Sequence, residues 1–360
     1  MKRRDFLLKA GVAGTVGAAA AGVGFPAIAK GAVEWRMQST WRRNSPLLST
    51  GPDLVADYVN KASGGRMKLK VYTAGEVVGP LEVFDAVADG TLHMGHGYPA
   101  FWSGKHPGFQ FLAPLPFGMT SQEQNAWFAY GGGQKLIDEL YGEFGLKFFP
   151  SGNTSVQGIW LNKDINAAAD FKGMKIRTGA LAGSVLQEFG AVPVQLPLGE
   201  VTQALQNGTI DGADYVGPFN DMAFGLPQVA RNYYWPGWME PNGVLDCFVN
   251  QSAWDKLDSD LKEVLVGANA YANQMVLSEF VAKNAQALQQ IKKDYPKVNV
   301  TTFNADTLKD LKKVSRTVVA DVAKKDALAG RIYQSMTDFM AVVQPYSEIT
   351  EMEYMNARAN

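Results

Sequence analysis

Arg177 is the first residue whose type and position suggest ligand chemistry. It closes the run Met174-Lys175-Ile176-Arg177, which reads as a short apolar strand, and Thr178-Gly179 opens a loop behind it. In open α/β sheets, ligands bind beyond the carboxyl ends of strands. A guanidinium there offers a bidentate pair to a ligand carboxylate. It would serve equally as one half of a surface ion pair, and position alone does not separate the two roles. The three histidines are His93, His96 and His106. His93 and His96 fall in and beside one short strand, on opposite faces, which suits satisfied structural histidines better than a shared metal. Cys247 is the only cysteine and lies in a buried-strand pattern, Val244–Val249, so it reads as an inert core thiol. No His-Glu-x-x-His run, Walker loop, Gly-x-Gly-x-x-Gly after a strand or Gly-x-Ser-x-Gly elbow occurs. A binding protein therefore fits better than an exported enzyme, although a carboxylate pair needs no motif. Trp41, Tyr98, Phe101, Trp102, Trp235 and Trp238 follow strands where pocket walls form. Most aromatics in such a chain are core, and Tyr98 alone is taken as a candidate ligand contact.

These residues need elements to hold them. Glu34–Ser39, Met67–Tyr72 and Leu92–Gly97 read as strands, alternating with helices Leu48–Lys61 and Leu81–Ala88. Helices Gln122–Tyr130 and Gln134–Phe144 flank a turn at Gly131–Gly133. Strands Leu146–Pro150 and Val156–Asn162 mark a possible domain crossing. Strands Met174–Arg177, Val192–Leu196 and Asp214–Val216 then alternate with helices Ala182–Phe189, Glu200–Gln206 and Asp221–Ala230, the last bent or broken by Pro227. Val244–Val249 returns to the first set. Such alternation predicts an α/β protein with parallel-rich sheets covered on both faces. The longest helix is expected from an N-cap at Ser259 to about Lys293, stopped by Pro296. At roughly 50 Å it exceeds one small domain and is expected to brace two. Leu308–Ala323 and Leu328–Val343 form a helical C-terminal region that packs on the body or contacts a second copy.

The first residues are not part of this fold. Lys2, Arg3 and Arg4 precede Phe6-Leu7 and a Gly/Ala-rich apolar stretch, and Ala27-Ile28-Ala29 offers a cleavage site. Residues 1–29 read as a twin-arginine-type export signal cut after Ala29, too short and too rich in Gly for a membrane span. The chain carries −1; the signal holds four basic residues against Asp5, leaving −4 for the mature part. Nucleic acid and anionic membranes are poor partners for that charge. Hydrophobic residues at 46% and charged residues at 19% supply a packed core.

Three longer runs carry a resemblance. Gly173-Met174-Lys175-Ile176-Arg177, Gly190-Ala191-Val192-Pro193-Val194 and Ala204-Leu205-Gln206-Asn207-Gly208-Thr209-Ile210-Asp211-Gly212 resemble the signature of DctP-type TRAP solute-binding proteins. Gly152-Asn153-Thr154, Gln157, Tyr215-Val216-Gly217-Pro218 and Tyr233-Tyr234-Trp235-Pro236-Gly237-Trp238, followed by Glu240-Pro241, resemble the 2-oxoacid and lactate branch. The similarity spans nearly the whole mature chain.

That resemblance implies a two-lobed periplasmic-binding-protein clamshell. Lobe I would be 30–152 plus 242–282, lobe II 153–241 plus 283–307, and 308–360 a helical extension and possible homodimer contact. It also implies that Arg177 holds the ligand carboxylate, with Gln157 and Asn153 as further ligand contacts beside the Tyr98 proposed from its strand-end position. Na⁺ or Ca²⁺ would bind with the ligand on Asp214, Tyr215, Glu240 and Gln157. Asp214-Tyr215 stands where the 2-oxoacid receptors carry Glu-Trp or a similar pair. The chemistry is coherent on its own terms. A 2-oxo or 2-hydroxy acid presents a carboxylate and an adjacent oxygen, which chelate a hard cation together with protein oxygens. The expected activity is delivery of a small monocarboxylate to TRAP permease subunits in the membrane. The rivals are an exported enzyme working on an oxoacid through Asp214 and Glu240, and a clamshell that senses a ligand.

Overall fold

The computed structural model describes residues 32–359, so the export signal and cleavage site expected from the sequence lie outside the described residues. Strands form at Val33–Ser39 (β1), Met67–Tyr72 (β2), Met94–Gly97 (β3), Leu146–Asn153 (β4), Ile159–Leu161 (β5), Lys175–Arg177 (β6), Val192–Val194 (β7), Gly212–Asp214 (β8), Asn232–Trp235 (β9), Val244–Asn250 (β10) and Asn299–Thr302 (β11). They build two sheets, ordered β2-β1-β3-β10-β4 and β11-β9-β5-β8-β6-β7.

In each sheet a single strand opposes the rest: β10 in the first, β5 in the second. Each follows a strand of the other sheet directly, β5 after β4 and β10 after β9, whereas β11 is reached only after the helix Ser259–Asp294. A chain that crosses at a seam must run away from it, so the other strands point their carboxyl ends toward that seam. Ends of β1, β3, β6 and β8 therefore converge on one region, as strand-end ligand sites require.

The long helix is Ser259–Asp294, 36 residues and about 54 Å. Asp258 rather than Ser259 takes the N-cap position, and the helix stops before Pro296 as expected. Its Leu261, Leu265, Ala268 and Ala272 join the first-sheet core with Trp35, Val55 and Cys247. Its Val276, Phe280 and Ile291 join a second cluster with Trp160, Val201 and Tyr233. One amphipathic helix thus braces both lobes. Helix Ala305–Ala323 does the same on another side, with Leu311 beside Ile176 in one cluster and Val319 beside Phe109 in another. Its continuation, Ala327–Ser347, packs on the first lobe, and the chain stays helical to Ala359.

Pro227 does not break the helix expected over Asp221–Ala230. Two short helices form, Pro218–Ala223 and Leu226–Val229, and the break is at Gly225 with φ +79°. Pro227 lies in the first turn of the second, where its missing N–H removes no helical hydrogen bond. The expectation of satisfied histidines also needs correction. His96 is fully buried in β3, and neither ring nitrogen has a well-formed partner. Its ring fills the space above Gly51, where a Cβ would come within 2.7 Å of Nε2.

Burial pushes the His96 pKa down from 6.5 to about 4, with the Ser151 main chain opposing weakly. The unfolded chain therefore binds the extra proton first, and stability falls as pH drops from about 6.5 to about 4. Asp221 and Asp246, raised by burial to about 6, act in the opposite direction over part of that range. Replacing His96→Gln removes only the histidine contribution. Denaturant unfolding at pH 7 and pH 4 should show the variant gaining about 3 kcal/mol on the parent. A constant difference between the two proteins would mean that His96 protonates freely inside the fold.

Candidate functional site

β6 and β8 lie side by side and parallel, with Arg177 opposite Ala213, so Arg177 and Asp214 emerge together at the seam. Arg177 Nη1 donates to the Asp214 main-chain oxygen at 3.0 Å and to its Oδ1 at 2.9 Å. Thr178 Oγ1 donates to Asp214 Oδ2 at 2.6 Å. The Asp214 side chain is 1% exposed and that of Arg177 22% exposed. Burial raises the Asp214 pKa; Arg177, Thr178 and the Gly179 main chain pull it back. The carboxylate thus fixes the guanidinium through one nitrogen and leaves the rest of its fork directed elsewhere.

Glu240 belongs to the segment between β9 and β10, and its main-chain oxygen accepts from Gln157 N at 3.1 Å. Gly237 lies directly on the Gln157 carbonyl; a Cβ there would sit 1.7 Å from that oxygen. Only glycine lets these two crossing segments meet so closely. The Glu240 carboxylate is nearly buried and receives no hydrogen bond among the described residues. Its pKa is held well above the carboxylate range, first by burial and then by Asp214. Gln157 Oε1 is also buried without a donor.

Tyr98 heads the turn Pro99–Trp102 at the end of β3. Burial raises its phenol strongly, and Glu240 and Asp214 raise it further. It remains partly exposed, as a side chain lining a recess is. Arg177, Asp214, Glu240, Gln157 and Tyr98 are therefore brought together. The Tyr215 ring is buried against Phe224 at 5.3 Å, and its main-chain oxygen accepts no hydrogen bond among the described residues. Asn153 is placed differently. Its Oδ1 accepts from Ser121 Oγ at 2.7 Å and Ser155 N at 3.0 Å, and its Nδ2 reaches Asn242 at 3.4 Å. Protein partners occupy its amide.

Two contributors escaped the sequence reading. Thr178 was seen only as the start of a loop. Asp221 was taken as a helix start, yet it is a buried staple. It accepts from Trp160 Nε1 and the Tyr233 hydroxyl, each at 2.8 Å, and from Gly217 N at 2.9 Å. Gly217-Pro218 followed by an acid in the first turn was the available signal.

One guanidinium faces two carboxyl groups, and Asp214 takes it, so Glu240 stays protonated until a cation stands in for its proton. Glu240, Gln157 Oε1 and the Tyr215 carbonyl are hard oxygens lacking donors. That set fits Na⁺ or Ca²⁺. No group of three His, Cys, Asp or Glu suited to a metal occurs among the described residues, so a transition metal is not what this donor set favours.

The model of bacterial extracellular solute-binding proteins, family 7 (DctP), matches residues 37–326. The monocarboxylate 2-oxoacid-binding periplasmic protein of Nostoc sp. is 35% identical over 327 residues, covering 90% of this chain and 88% of that one. A TRAP periplasmic solute-binding protein from Colwellia psychrerythraea, solved with calcium and pyruvate, has TM-score 0.86 and 33% identity, over 91% of this chain and 99% of that one. The protein from Pseudoalteromonas atlantica, solved with sodium and pyruvate, has TM-score 0.84 and 34% identity, over 90% and 99%. The α/β architecture, the strand-end recess and these matches agree: the chain belongs to the DctP family of bacterial extracellular solute-binding proteins.

Proposed function

We propose that this protein is the periplasmic receptor of a TRAP transporter and closes on a small 2-oxo or 2-hydroxy monocarboxylate together with Na⁺ or Ca²⁺. The observation that carries the reading is the charge balance of the recess. Arg177, already paired with Asp214, offers its free fork to the ligand carboxylate, with Tyr98 and Gln157 beside it. Asp214, Glu240, Gln157 Oε1 and the Tyr215 carbonyl would hold the cation. The cation supplies the positive charge that lets an anion enter a recess with a surplus carboxylate. A dicarboxylate would need a second cationic clamp, and among the described residues Arg177 alone supplies positive charge to Tyr98, Asp214 and Glu240. Asn153, whose amide has protein partners, contributes by fixing the β4 crossing.

In this reading lobe I is 30–152 plus 242–282 and lobe II is 153–241 plus 283–307. The ligand passes to membrane permease subunits without covalent change. The related receptors being solute-binding proteins favours this over an exported enzyme. The 308–360 region would be a homodimer contact. Support comes from Val342, Tyr346 and Ile349, 75%, 65% and 75% exposed at helical spacing, an apolar stripe of the kind partners cover.

Arg177→Lys keeps a charge beside Asp214 but loses the fork. It should weaken pyruvate binding by roughly 2–3 kcal/mol, about 30- to 150-fold, while the ligand-free melting temperature holds. Titration calorimetry showing unchanged affinity would sink the arginine's role. Arg177→Ala is a poorer probe, because it strands a buried carboxylate.

After unfolding, refolding and chelation, pyruvate should raise the melting temperature more with Na⁺ or Ca²⁺ than without. In Glu240→Gln that cation enhancement should largely vanish. Enhancement surviving in the variant rules out Glu240 as a donor.

Val342→Glu with Ile349→Glu should convert a dimer to a monomer in sedimentation runs with ligand affinity intact. A parent that sediments as a monomer at micromolar concentration rejects the dimer.

A further inference from the structure

Backbone strain in this chain is unevenly distributed. Among the described residues, four that are not glycine adopt left-handed φ: Asn44 (60°), Leu47 (61°), Phe117 (57°) and Ser155 (66°). For bulky residues such as Leu and Phe this conformation is costly and persists only where surrounding contacts enforce it. All four lie where the lobes meet or where the chain crosses between them. Ser155 is in the β4–β5 crossing. Phe117, from the first lobe, stacks on Trp238 of the β9–β10 segment at 5.7 Å, and its N–H donates to the Trp238 oxygen at 2.8 Å. Asn44 and Leu47 belong to the loop that joins β1 to helix Thr50–Ala62.

That loop reaches across the seam. Its base is tied to the first lobe by Thr40 N to the His96 oxygen at 2.9 Å and Ala74 N to the Trp41 oxygen at 2.9 Å. At its tip, the Pro46 carbonyl accepts from Asn220 Nδ2 at 2.9 Å. Leu47 and Leu48 are buried in the apolar cluster that holds Val201, Leu205, Ile210 and Val216 of the second lobe. Asn220 is itself rigidly held: Asp221 beside it is stapled to Trp160 and Tyr233, and Phe219 N donates to Asn284 of the long helix at 3.0 Å. It also follows Asp214-Tyr215 by only a few residues. The segment that presents the candidate cation donors therefore also presents the receptor for the loop.

We propose that Pro46-Leu47-Leu48 is a reversible latch, docking on Asn220 to hold the lobes together, with the strained Leu47 backbone opposing permanent closure. This rests on the clamshell reading above and adds to it a device outside the ligand contacts. Because none of the latch residues is a proposed ligand or cation contact, weakening it should speed release of every ligand alike and leave discrimination between ligands unchanged.

Two single variants, Asn220→Ala and Leu48→Ala, remove the latch from opposite sides. Each should raise the pyruvate dissociation rate, measured with Ca²⁺ present, by about 3- to 10-fold, as expected for one lost hydrogen bond or a truncated apolar contact. The affinity ratio of pyruvate to 2-oxobutyrate should stay constant. A double variant, Pro46→Cys with Asn220→Cys, reports without any ligand. Mild oxidation should cross-link it, and scattering should give a smaller radius of gyration oxidised than reduced. Unchanged dissociation rates in both single variants, or failure of the pair to cross-link, overturns the latch. Failure of pyruvate to bind the parent refutes the proposed ligand class instead, and the cross-link then decides the latch alone.

Discussion

The site depends on one electrostatic constraint: two carboxylates are buried where a single guanidinium is available. Asp214 takes that guanidinium, with Thr178 and Gly179 completing its shell. Glu240 is left with burial and a like-charged neighbour. An unpaired buried carboxylate costs several kcal/mol unless it is protonated or given a cation. Protonation relieves Glu240 in the empty recess; in the proposed reading a cation that displaces this proton also brings the positive charge that a second carboxylate needs.

The topology supplies that arrangement with few specific residues. Because every strand but β5 and β10 points its carboxyl end at the seam, side chains from β3, β6 and β8 converge without long loops. The two crossings do the rest, and Gly237 on the Gln157 carbonyl is their tightest contact. Two helices span both lobes behind the site. Relative lobe motion must then be small enough for continuous helices to accommodate, which favours bending over free rotation.

Much of this was legible in the sequence because periodicity and punctuation are local. β1, β2, β3, β6 and β10 lie near the ends their sequence predicts, β8 ends at Asp214 where the sequence has it begin, and the long helix agrees within a residue at its start and end. Strands β9 and β11 were missed. Asn232–Trp235 is buried nearly throughout, so it shows no alternation, and Asn299–Thr302 is a half-exposed edge strand of four residues whose pairing with β9 depends on distant chain. Arg177 illustrates the limit for sites. Its strand-end position was readable, yet its residues alone allowed an ion pair or a ligand clamp. The structure gives it the ion pair, and charge balance leaves the clamp available on the same side chain. Thr178 and Asp221 stayed invisible because their importance is burial, and burial of a polar residue is set by tertiary packing, not by neighbours in sequence.

The difference between Asp221 and Glu240 shows how burial is put to two uses. Both are buried carboxylates whose pKa burial raises. Asp221 receives two side-chain and two main-chain hydrogen bonds, which fully occupy its oxygens. It can be a permanent part of the fold, and it fixes the segment carrying Asp214, Tyr215 and Asn220. Glu240 receives none, so its burial is tolerated by holding a proton, which a bound cation would displace. Donors withheld from one carboxylate and supplied to another divide the lobe into scaffold and site. In the proposed reading, the cation goes to the residue the fold leaves least satisfied.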